Sequence, residues 1–178
     1  ANQIPMKRRK EIEKALGEVG ESPAKWSRKE GNKNHVFMRK RVKPGTIRHM
    51  DYELLDVEIG ESWPVPISII HGSRPGPVVT LLGAIHGDEL VGPLALTYLC
   101  GPNFMGDERV IDSAVLAGTI RIVPIVNLPG YRRMIRDFPD GRDLNRCFPG
   151  KSDSNTTSRV AYKLWSNVIK SSDYVVDL

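Results

Sequence analysis

Three apolar runs constrain this chain more than anything else in it. Residues 77–85 (PVVTLLGAI), 118–127 (GTIRIVPIVN) and 173–178 (DYVVDL) are nearly continuous in Val, Ile and Leu. They lack the polar alternation of a strand with one wet face, so each reads as a strand covered on both sides. Between them lie stretches of helical spacing. Residues 88–100 (DELVGPLALTYLC) suggest a helix capped by Asp88, with Leu94, Leu96 and Leu99 toward a core. Residues 158–172 place Val160, Ala161, Leu164, Trp165, Val168 and Ile169 on one helical face. Strands alternating with helices imply an α/β layered sheet with helices on both faces. In such sheets ligands gather beyond the carboxyl ends of the strands.

Upstream of this frame the texture differs. Residues 52–59 (YELLDVEI) and 63–70 (WPVPISII) read as two strands around a turn at 60–62, the second starting at a sheet edge because of Pro64 and Pro66. Residues 72–77 (GSRPGP) read as a loop. Residues 6–20 suggest a short helix, and 21–47 suggest loop or weak structure.

Charge is distributed unevenly. Residues 1–48 hold 14 of the 26 Lys and Arg but only 5 of the 21 acids, so the net +5 resides in this leader and the remainder is mildly acidic. The leader, residues 1–44, reads as a solvated extension. Trp26 and Phe37 are isolated there, with no aromatic stacking pattern among the basic residues, which argues against nucleic acid as a partner. No apolar run reaches the roughly 18–20 residues of a membrane helix. The first 20 residues have no apolar stretch behind their basic cluster, so no secretory signal is expected. Cys100 and Cys147 are too few for a disulfide framework and read as reduced thiols of a cytoplasmic protein. A glycine-rich phosphate loop is absent from the sequence.

Chemistry enters where the first buried run ends, at His86-Gly87-Asp88-Glu89. A His at a strand end and a Glu three residues later, with Gly between them, can converge on one ion. Imidazole plus carboxylate, with a third ligand from elsewhere, suits a zinc that keeps a position open for water. The same residues also fit a plain loop hydrogen bond and a carboxylate favouring a helix N-terminus. His71, at the end of another strand, is the one intrachain candidate for a third ligand. A second constellation, residues 136–150 (RDFPDGRDLNRCFPG), gathers Arg136, Arg142 and Arg146 around Asp143 and Asn145. Arg recognises carboxylates in bidentate fashion, and near a metal it can stabilise oxyanion charge. A surface loop with local Arg–Asp pairs remains the alternative.

Taken in order, HGDE after a buried strand, VPIVN, DLNRCFPG and the closing DYVVDL resemble the succinylglutamate desuccinylase/aspartoacylase family of the zinc carboxypeptidase superfamily. The resemblance spans residues 45–178, including GSRPGP and RVAYKL. It implies a three-layer, zinc-carboxypeptidase-like mixed sheet with helices on both faces, incomplete at the C-terminus. His86 and Glu89 would be two of three zinc ligands, with the third, a His, expected just after Leu178 and the general-base glutamate further on. Asn145 and Arg146 match the substrate-carboxylate binders. Arg136 matches the arginine that polarises the scissile carbonyl, with Arg133 and Arg142 as competitors. Asp143 is expected to orient its loop, and Asp88 to cap a helix or support the site from behind.

The implied activity is zinc-dependent hydrolysis of a small N-acyl amino acid, with the chain inactive, or nearly so, by itself. A carboxypeptidase acting on peptide C-termini and a non-catalytic carboxylate-binding protein are the alternatives. The partner expected is a small molecule, and a homo-oligomer is left open.

Overall fold

The computed structural model describes residues 32–56, 62–101 and 110–178; the helix expected over 6–20 lies outside them. In chain order the elements are β1 (His35–Phe37), β2 (Lys40–Val42), β3 (Thr46–Asp56), β4 (Ser62–His71), β5 (Arg74–Leu82), α1 (Val91–Cys100), β6 (Ala117–Val123), α2 (Leu128–Arg133), a 3-10 turn (Leu144–Arg146), α3 (Thr156–Leu164), a π-helical continuation (Trp165–Ile169) and β7 (Tyr174–Asp177).

Five strands form one mixed sheet in the order β3-β4-β6-β5-β7. The β3–β4 and β4–β6 pairs are antiparallel, whereas β5 runs parallel to both β6 and β7. Successive side chains point to opposite faces of a strand, and here both faces are covered. Ile69, Val123 and Leu82 join Leu164, Val168, Val160 and Phe138 in one core, under α3 and its continuation. Their neighbours Ile70 and Ile122 pack with Leu96 and Cys100 of α1 in a second core on the other face. The runs 77–85 and 118–127 thus mark double coverage, and the fold is the layered α/β arrangement the sequence implied.

Five local expectations are corrected. The polar stretch 21–47 contains the β1–β2 hairpin, whose Phe37 and Val42 lie inside the first core. Its two-residue turn, Met38-Arg39, holds positive φ at both positions, the I′ geometry of tight hairpins, without the Asn-Gly signal that would reveal it. The GSRPGP segment belongs largely to β5, which starts at Arg74 and reaches regular pairing with β6 at Val78 after a register shift. Helix α1 starts at Val91, after an N-cap at Leu90 with no side-chain capping, so Asp88 caps nothing and is exposed. A Cβ on Gly92 would collide with the Leu178 carbonyl; Gly92, Pro93, Leu96 and Cys100 face inward, and Leu94 is 67% exposed. Finally, β7 is an edge strand of the described sheet rather than a buried one, with Tyr174 and Val176 exposed.

Among the described residues no helix is long and apolar enough to cross a membrane. Among the described residues Cys100 and Cys147 form no disulfide, and burial pushes the Cys100 thiol above its ordinary range.

Candidate active site

The carboxyl ends of the parallel strands carry the chemistry. Strand β5 stops at Leu82, and Gly83 and Ala84 turn the chain sharply toward His86. Ala84 holds φ +47, a left-handed conformation that a non-glycine residue adopts at a cost of order 1–3 kcal/mol. The turn is fixed from outside. The N–H groups of Val126 and Asn127 donate to the carbonyls of Gly83 and Ala84, at 2.9 Å each. Gly87 is required by the next approach, since a Cβ there would collide with the backbone of Gly130 and Tyr131. Sequence thus positions His86 through strain, a second strand's continuation and a missing side chain.

His86 is 6% exposed and uses its two ring nitrogens differently. Nε2 lies 3.1 Å from Oδ1 of Asp143. Nδ1 lies 3.0 Å from Oε1 of Glu89, yet is not aligned for a hydrogen bond and, among the described residues, is a buried nitrogen with no hydrogen-bond partner. Arg136 closes the ring, with one amino nitrogen 3.2 Å from Oδ2 of Asp143 and the other 3.9 Å from Oε1 of Glu89. Four side chains from two segments, 86–89 and 136–143, therefore form one circuit: His86, Asp143, Arg136 and Glu89. Burial opposes ionisation of Asp143, but the hydrogen bond and charge of His86, the Arg136 guanidinium and the Asn145 N–H together hold its carboxyl below the usual range.

Asp143 has a second task, accepting the Asn145 N–H at 2.8 Å as N-cap of the 3-10 turn. That turn carries Asn145 and Arg146, so both are indexed to the same carboxylate that contacts His86. Of the arginines considered, Arg136 reaches the circuit. Arg142 stands 4.0 Å from Asp140 instead, and Arg133 is exposed in the last turn of α2. His71 is no partner of His86. It pairs opposite Thr119, near the start of β6, while His86 follows the other end of the parallel strands. Its Nδ1 and Nε2 are 2.8 Å from Thr119 Oγ1 and the Lys33 carbonyl.

Two residues were missed. Asp177, at the end of β7, feels both His86 and Glu89. Desolvation by its surroundings and the Glu89 charge push its carboxyl up to about 6, with His86 and the Leu178 N–H opposing. Nothing in the isolated sequence separates it from an ordinary strand-end acid. Asn127 is fully buried and caps α2, accepting the Gly130 N–H at 3.0 Å. Its signal was legible: an Asn two residues before Pro129, an N-cap pattern.

The described residues hold no cluster of three or more His, Cys, Asp and Glu able to hold a metal. His86 and Glu89 nevertheless fit two positions of a zinc site. The buried, unpartnered Nδ1 faces a carboxylate, while the opposite nitrogen is held by another, the arrangement that orients a metal-binding imidazole.

The family signature of the succinylglutamate desuccinylase/aspartoacylase catalytic domain matches residues 75–178, which include the whole circuit. The chain belongs to this family. It is 33% identical over 115 residues to the N-alpha-acetyl-L-2,4-diaminobutyric acid deacetylase of Halomonas elongata, an alignment covering 64% of this chain and 31% of that protein. Among solved structures, the succinylglutamate desuccinylase/aspartoacylase of Rhodobacter sphaeroides matches with TM-score 0.63 and 29% identity, over 74% of this chain and 39% of the other. The product-bound ectoine utilization protein EutE (DoeB) of Ruegeria pomeroyi matches with TM-score 0.61 and 29% identity, at the same coverage. This desuccinylase/aspartoacylase family chain thus spans about a third of the length of the curated relative it matches.

Proposed function

We propose that this chain supplies the amino-terminal part of the active site of a zinc-dependent deacylase that hydrolyses the amide bond of a small N-acyl amino acid. The observation that carries the reading is His86 Nδ1, buried, without a hydrogen-bond partner and 3.0 Å from the Glu89 carboxylate. Leaving a buried polar atom unsatisfied costs about 1–3 kcal/mol, which a ligand at that nitrogen would offset. The deacetylase named among the relatives supports the substrate class.

In this reading His86 and Glu89 hold zinc, together with a His that the family resemblance places just after Leu178. The chemistry zinc supplies at such a site is activation of water near neutral pH and polarisation of the acyl oxygen. The chain's own residues do the rest. Asp143 holds Nε2 of the His86 ring, which leaves Nδ1, beside Glu89, as the nitrogen that would take a metal. Arg136, held beside Glu89 and Asp143, would set its guanidinium against the acyl oxygen as that atom gains negative charge. Asn145 and Arg146, on the turn capped by Asp143, bind the substrate carboxylate.

Zinc titration of the chain against a chelating indicator tests the assignment. Binding that is lost in both His86→Ala and Glu89→Ala supports it, and zinc binding unaffected by both substitutions refutes it. Release of acetate from Nα-acetyl-L-2,4-diaminobutyrate by the intact enzyme tests the substrate class.

A further inference from the structure

We propose that Asn127 is the positioning residue for Arg136, a role that rests on the reading of Arg136 given above. Asn127 is 0% exposed and touches three segments of the site at once. Its backbone N–H donates to the Ala84 carbonyl at 2.9 Å, in the strained turn before His86. Its Oδ1 accepts the Gly130 N–H at 3.0 Å, and its carbonyl accepts the Tyr131 N–H at 2.8 Å, which fixes the start of α2. Its Nδ2 donates to the carbonyl of Arg136 at 3.2 Å and lies 3.4 Å from that of Asp137.

The amide orientation follows from chemistry, because reversing it would set a carbonyl oxygen against two carbonyls and an NH2 group against an N–H. The Arg136 carbonyl also accepts the Gly87 N–H at 3.3 Å, so both of its lone pairs are used, one by Asn127 and one by the turn carrying His86. The guanidinium sits on a half-exposed side chain in a loop, held otherwise by its ion pairs. Asn127 therefore supplies what a loop arginine lacks, a backbone anchored to the same turn that carries His86 and Glu89. An error of about 1 Å in such placement costs roughly 100-fold in rate.

Two substitutions separate this role from simple helix capping. Asn127→Asp keeps an acceptor for Gly130 but removes both donors to segment 136–137; Asn127→Ala removes both functions. In the 178-residue chain, Asn127→Asp is expected to speed amide hydrogen exchange at Gly87 by about tenfold or more, with Gly130 and Tyr131 still protected and zinc affinity retained. In the intact, zinc-loaded enzyme acting on Nα-acetyl-L-2,4-diaminobutyrate, Asn127→Ala is expected to lower kcat by about 10- to 100-fold with KM little changed. Combined with Arg136→Ala, it should add no further loss, because both act through one guanidinium.

Unchanged exchange at Gly87, losses that add in the double variant, or zinc affinity falling in step with kcat would each overturn the proposal. Wild-type kcat in Arg136→Ala would instead remove the underlying reading of Arg136, and the Gly87 exchange would still judge the anchoring.

Discussion

His86 Nε2 lies 3.1 Å from Oδ1 of Asp143, 57 residues further along the chain, while the other ring nitrogen lies 3.0 Å from Oε1 of Glu89. The Asp143 carboxylate also caps the turn bearing Asn145 and Arg146, so one side chain registers two functional groups against each other. Its loss should therefore be felt on both sides. Asp143→Ala is expected to weaken zinc binding by about 10- to 100-fold, the usual consequence of removing the partner of a metal-binding histidine. Competition with a chelator of known affinity measures this, and an unchanged affinity would show that His86 needs no such support.

Gly87→Ala places a methyl group against the backbone of Gly130 and Tyr131, where neither neighbour is a flexible side-chain end. The expected destabilisation is about 1–3 kcal/mol, the range for overpacking. The urea midpoint reports it. A midpoint equal to wild type would mean that the His86 turn and α2 separate easily.

Leu94 and Leu96 should behave oppositely although both sit in one apolar helix. Leu96 is fully buried against Ile70 and Ile122, so Leu96→Ala is expected to cost about 2–5 kcal/mol. Leu94 faces outward and its replacement by Ala should stay within about 0.5 kcal/mol. Equal losses from the two variants would contradict the placement of α1.

His35 links stability to pH. Burial foremost, then the charge of Arg121 and the nearness of His71, lower its pKa from 6.5 to about 4, while its Nε2 accepts from Arg121 at 3.2–3.3 Å. Protonation is thus harder in the folded than in the unfolded chain. The unfolded state binds more protons between pH 6.5 and 4, so stability is retained above that window and falls as the pH drops through it. His35→Gln should flatten this part of the profile relative to wild type. The difference between the two denaturation midpoints at pH 7.5 and pH 4.5 is the measurement, and parallel profiles would remove His35 as a contributor.

Much of this protein was legible before any coordinates. The runs 77–85 and 118–127 and the helix containing Val160, Leu164 and Val168 announced a layered α/β sheet, because residues buried on both faces leave a continuous apolar record. His86, Glu89, Asp143, Asn145 and Arg146 stood out because imidazole, carboxylate and guanidinium groups are rare at the ends of core strands and clustered in one loop. Other features left no such record. The β1–β2 hairpin turns on two non-glycine residues at positive φ, a choice its composition does not advertise. The inward face of α1 includes Gly92, which packs close to Leu178, 86 positions further along the chain, a contact that local spacing does not show.

What the sequence determined by itself was His86, Glu89, Arg136, Asp143, Asn145 and Arg146 as candidate groups and the buried strands 77–85 and 118–127, since these follow from local composition and spacing. What only the tertiary structure decided was which groups meet. Arg136 rather than Arg133 or Arg142 reaches Glu89 and Asp143, and His71 is excluded because it lies at the other end of the sheet. Hydrogen bonds extend about 3 Å, so a site is defined by backbone paths that bring distant segments within that reach. Those paths depend on packing the whole sheet.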